Sequence, residues 1–111
     1  MKNQSKMKMT TAKYSIGDVI HHKLFGYRGV IVDIDPYFQL TDEWYDTVAR
    51  SRPPKSEPWY HVLVHQSTNS TYVAEQNLEA DSNGEKIEHP MMDLFFSEYR
   101  EGRYINNEKI N

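Results

Sequence analysis

Between Gly29 and Pro36 the chain reads Gly-Val-Ile-Val-Asp-Ile-Asp-Pro, and this alternation constrains the fold more than any other stretch. Val30, Val32 and Ile34 recur at every second position while Ile31, Asp33 and Asp35 fall between them. A period of two is that of a β-strand whose successive side chains point to opposite faces, so the pattern predicts one face on a core and a mostly acidic face in water. Pro36 has no N–H to give to a ladder and ends the strand.

Other segments extend this into a mainly β chain. Ile16-Gly-Asp-Val-Ile-His-His22 carries a turn signal and then a short β-branched pair, which predicts a first strand near Val19 to His22. Gly26 and Gly29 bracket Tyr27 and Arg28, which places those two side chains at a hairpin tip. Trp59 to Gln66 is rich in aromatic and β-branched residues, and Ser67-Thr-Asn-Ser70 supplies a turn into a partner strand from Thr71 to Ala74. Tyr37 to Glu57 is different in character. Thr41 is suited to cap a short helix over Asp-Glu-Trp-Tyr-Asp, and Arg50 to Pro58 is Pro-rich and extended, so this region reads as a long excursion from the sheet. After a turn at Ser82-Asn-Gly84, Met91, Leu94 and Phe95 follow helical spacing behind Pro90, with Gly102 placed to close the helix. Short strands, tight turns and one terminal helical segment predict a small bent sheet or an SH3-like, partly open barrel, with a long inserted loop and a short C-terminal helical segment. The expected core includes Val30, Val32, Ile34, Val62, Val64 and Leu78.

With 111 residues the chain has room for one compact core, and without cysteine that core holds by packing alone, with no thiolate metal site or thiol nucleophile. No apolar run approaches the roughly 20 residues that cross a bilayer. Residues 1–13 form a basic, polar tail with no apolar centre for a secretory signal, residues 14–105 form the β domain, and 106–111 a C-terminal tail. A formal net charge of −3 argues against nucleic acid as the default partner, because phosphate neutralisation leaves a basic footprint.

The residues that invite chemistry have structural readings. His61 and His65 lie about 13 Å apart on a strand, too far to share an ion. His21 and His22 point to opposite faces. Asp33 and Asp35 share a strand face, but an acidic solvent face needs no catalytic explanation. No Gly-x-Ser-x-Gly elbow or Gly-rich phosphate loop occurs. Catalytic, cofactor-binding and metal residues are therefore assigned as none. Trp59 and Tyr60 read as packed aromatics. The candidates for partner contact are Tyr27 and Arg28 at the expected tip, Trp44 and Tyr45 on the excursion, and Arg50 and Arg52 in a modest basic patch with Lys55.

Three blocks in order, Phe25-Gly-Tyr-Arg-Gly-Val-Ile-Val-Asp-Ile-Asp-Pro36, Pro58-Trp-Tyr-His-Val-Leu-Val64 and Thr71-Tyr-Val-Ala-Glu-Gln-Asn-Leu78, resemble the YccV-like family, known as HspQ or hemimethylated-DNA-binding proteins. The likeness runs from about Tyr14 to Tyr104. It implies a small, non-enzymatic, cytoplasmic heat-shock factor in protein quality control, without a cofactor or membrane. Such a factor modulates an ATP-dependent, Lon-like protease and promotes degradation of certain denatured or regulatory proteins. The resemblance also implies homotrimers and, as the rival function, a regulator that recognises hemimethylated DNA; a subunit that only oligomerises is a third reading. The basic tail departs from the family pattern, and Ile87 to Tyr104 resembles only its longer members.

Overall fold

The computed structural model describes residues 11–106; most of the expected basic tail and the last five residues lie outside the described residues. Seven strands form two antiparallel sheets. Strands β1 (Val19–His22), β2 (Arg28–Asp35), β3 (Trp59–Val64), β4 (Ser70–Ala74) and β5 (Leu78–Ala80) make one sheet in the order β4-β3-β2-β1-β5. A single 3₁₀ turn over Glu75–Asn77 carries the chain from one edge of that sheet to the other. Strands β6 (Phe96–Arg100) and β7 (Arg103–Asn106) form a separate hairpin. The sheet is bent but not closed, since β4 and β5 each pair on one side only. Among the described residues no helix is long and apolar enough to cross a membrane.

Both faces of the large sheet are covered. Ile20, Ile31, Tyr60, Val62, Val73 and Leu78 pack together on one side, joined by Ala12 and Tyr14 from the leading segment. On the other side Val30 and Leu63 meet Ile87, Phe96 and Tyr104, while Trp59 and Ala74 meet Tyr45 and Ala49 of the excursion. This corrects the two-faced reading of β2. Ile31 is fully buried, whereas Val32 and Ile34 are only partly so, as is Val64 of β3. The cause is twofold: β2 is covered on both faces, Val30 by the β6–β7 hairpin and Ile31, expected in water, by Ile20, Tyr60, Val62, Val73 and Leu78, and a bulge between Ile31 and Asp33 shifts the register so that Ile34 joins the same cluster as Ile31.

The hairpin tip is also corrected. Arg28 pairs with His21 inside the β1–β2 ladder, and the Tyr27 carbonyl accepts from the His22 N–H at 2.8 Å, so the exposed turn is residues 23–26. The excursion forms as its cap predicts. Helix α1 (Asp42–Val48) starts where the Thr41 hydroxyl accepts from the Trp44 N–H at 3.1 Å, with Asp42 and Glu43 favourably placed against the positive end of the helix. The C-terminal helix is shorter than expected. Helix α2 spans only Met92–Phe95, and the residues behind it extend into β6, because Glu101 and Gly102 both take positive φ and turn the chain back as a two-residue hairpin.

Candidate functional site

A groove of about 670 Å³ lies between the 23–26 turn, helix α1 and strand β4. Its rim carries four exposed large apolar side chains, Leu24, Phe25, Leu40 and Val48, with Phe25 72 % exposed. Helix α1 presents one of the four, Val48. Tyr45 and Ala49 turn to the sheet and are buried, while Trp44 and Val48, four residues apart on the neighbouring stripe, turn to the groove. The groove floor is aromatic: Tyr72 stacks on Trp59 at 5.2 Å between ring centres and lies 4.6 Å from the His61 ring. The Tyr72 hydroxyl donates to Asp35 at 2.6 Å; burial first, and then that bond to a carboxylate, raise its pKa well above the usual phenol value.

The turn that presents Leu24 and Phe25 is held by a buried histidine. His22 Nδ1 accepts from the main-chain N–H groups of Leu24 and Phe25 at 3.1 and 3.0 Å, and its ring stacks on Phe25 at 4.6 Å. Only the neutral ring accepts through Nδ1. Burial, and secondarily the adjacent His21, lower the His22 pKa below its ordinary 6.5. A histidine pKa depressed on folding contributes stability that is complete above the unfolded value near 6.5 and is lost as pH falls through the folded value. Urea titrations at about pH 7.5 and pH 5.5 are therefore expected to show a loss at the lower pH that is smaller in His22→Asn, whose amide oxygen accepts without titrating. Equal losses in the two proteins would exclude His22 as the source.

The residues chosen from sequence separate into three groups. Trp44 and Arg50 line the groove. Tyr45 and Tyr27 are structural: the Tyr45 hydroxyl donates to the Pro53 carbonyl at 2.6 Å, and Tyr27 shares a 2.7 Å hydrogen bond with Thr71. Arg28 and Arg52 are committed to ion pairs, Arg28 with Asp81 and Arg52 with Asp46, the latter over the Tyr45 ring. Leu24, Phe25, Leu40 and Val48 were missed. The spacing of Leu40, Trp44 and Val48 at every fourth residue was the available signal. Asp33, Asp35 and His61 do converge, with side-chain oxygens and nitrogen within 4.8 Å of one another, but Asp35 already accepts from Tyr72 and contacts His61 at 3.3 Å.

A bent, open antiparallel sheet with an apolar groove along a free edge is the build of a small binding domain. The chain belongs to the YccV-like family, described as hemimethylated DNA-binding protein YccV like, which it matches over residues 12–103.

Proposed function

We infer that this protein is a non-enzymatic protein-binding factor in quality control, which engages an ATP-dependent, Lon-like protease or its clients and promotes degradation of denatured or regulatory proteins. The apolar groove carries this reading. Four exposed large apolar side chains around one cleft are costly in water and match a protein segment better than a phosphate backbone. The charges support the same choice: among the described residues Arg28, Arg52, Lys55, Arg100 and Arg103 each sit in an ion pair, which reduces the positive charge they offer to displace counterions from DNA.

The family description makes recognition of hemimethylated DNA the second reading. The two readings part in one pair of assays at about 150 mM salt, where exposed charges are screened beyond ~8 Å. A degradation time course of a denatured client by the protease is expected to accelerate when the protein is added. A gel-shift titration is expected to give weak binding that falls steeply with salt and scarcely distinguishes hemimethylated from unmethylated duplex. Tight, methylation-selective binding with no effect on degradation would reverse the order.

A further inference from the structure

Strand β4 is an edge, and the groove runs along it. Residues from both of its faces line the cleft, Tyr72 and Ala74 from one and Thr71 and Val73 from the other, so the cleft follows the edge of the strand and reaches over the face that carries Trp59 and His61 of β3. Antiparallel ladders alternate bonded and non-bonded pairs. Val64 donates to the Asn69 carbonyl, so the pairs Val62 with Thr71 and Tyr60 with Val73 are the bonded ones, and Ser70 and Tyr72 turn their main-chain N–H and C=O groups outward. Among the described residues no other strand pairs with β4. Charge completes the picture. In a chain with 16 acidic residues, among the described residues no Asp or Glu lines the groove, and the one Lys or Arg that does, Arg50, is exposed just beyond helix α1 with no carboxylate partner.

Building on the reading of a protein-binding factor, we propose that the groove takes an extended apolar segment of a partner protein as an added strand on β4, with an acidic side chain of that segment reaching Arg50. Outward main-chain groups at every second residue of β4 recognise an extended backbone whatever its sequence. Leu24, Phe25, Trp44 and Val48 receive its alternate apolar side chains, and Arg50 sets its direction. Such a mode suits unfolded clients, which share an exposed backbone and apolar residues but no common motif.

The test uses a fluorescein-labelled peptide of alternating valine and threonine with a glutamate at one end, titrated by anisotropy against the whole protein. Three comparisons read the mode. Methylating alternate peptide nitrogens is expected to weaken binding by about tenfold, through the loss of two or so main-chain hydrogen bonds to the outward groups of Ser70 and Tyr72. Arg50→Glu is expected to weaken binding of the glutamate peptide and strengthen that of its lysine counterpart, and because Arg50 is exposed and unpaired this variant should fold normally. Equal binding of the methylated peptide, no charge reversal, or light scattering that shows an oligomer which Ser70→Pro on the β4 edge breaks up, would each overturn the proposal. The degradation assay keeps the two levels apart. Acceleration by the wild type that persists undiminished in Arg50→Glu sinks the edge mode alone, whereas no acceleration by the wild type sinks the functional reading itself.

Discussion

Gly17→Ala is expected to destabilise the protein by on the order of 3 kcal/mol, lowering the melting temperature by roughly 15 °C. Gly17 has φ +98°, and a Cβ built there would lie 2.1 Å from the Tyr104 carbonyl oxygen. The contact cannot relax by a rotamer change, because the obstacle is backbone. On either side Gly17 holds two elements together: its N–H donates to the Ile31 carbonyl of β2 at 2.8 Å, and its carbonyl accepts from the Tyr104 N–H of β7 at 2.9 Å. The neighbouring Asp18 adds a bridge and an ion pair to Arg103. Alanine must therefore leave the left-handed region or push β7 away, and the second course uncovers Val30 and Leu63. Gly84→Ala is the control, since Gly84 has φ +82° but open space around the missing Cβ. It is expected to cost only about 1 kcal/mol, the penalty of the backbone angle alone. Thermal melts of the two variants check the claim, and equal losses would mean that the hairpin dock contributes nothing.

That dock also explains what was legible in the sequence and what was not. Local signals were read correctly where they act locally: Thr41 caps its own helix, and Trp59–Val64 with Ser70–Ala74 announce their hairpin through composition and turn. The errors in the fold come mainly from contacts distant in sequence. Met91, Leu94 and Phe95 do carry helical spacing, but Phe96 onward is extended because Tyr104 returns to pack beside Phe96 against Val30 and Leu63, a partnership no short window reveals. Ile20, Tyr60 and Val62 bury Ile31 on the side of β2 read as wet, and a bulge defeats a strict period of two at the point where the acids begin. Among the site residues, Tyr27 and Arg28 were singled out because glycines flank them, yet ladder pairing with β1 draws Arg28 into the sheet. Leu24 and Phe25 went unread for the opposite reason. An apolar pair is assigned to the core by default, and only the geometry of the His22 turn shows it pointing outward.

Arg28 is expected to matter for stability as much as Gly17. Its side chain and that of Asp81 are 12 % and 6 % exposed, and they meet through two parallel bonds, Nε to Oδ1 at 3.1 Å and Nη2 to Oδ2 at 3.0 Å. Asp81 follows directly on β5, the three-residue edge strand, so the pair ties the end of the sheet to the start of β2. Burial by itself would raise the Asp81 pKa, but the Arg28 hydrogen bonds and charge, helped by the N–H groups of Asn83 and Gly84, outweigh it and hold the carboxyl below its usual value. The wild-type contribution is thus present above an unfolded carboxylate value near 3.9 and is lost as pH falls through the lower folded one. Arg28→Met removes the opposing charge and leaves a buried carboxylate, at an expected cost of about 3–5 kcal/mol at neutral pH. With the Arg28 bonds and charge gone, burial is opposed only by the Asn83 and Gly84 N–H groups and the Asp81 pKa rises, so the variant regains stability as the carboxyl protonates, and the gap to wild type narrows from pH 7 toward pH 4. Adding Asp81→Leu is expected to restore most of the loss, because two apolar side chains replace a broken pair with packing. Urea denaturation across that pH range decides the matter. A pH-independent loss below about 1 kcal/mol, as for an exposed ion pair, would show that Arg28 and Asp81 do not tie the end of β5 to β2.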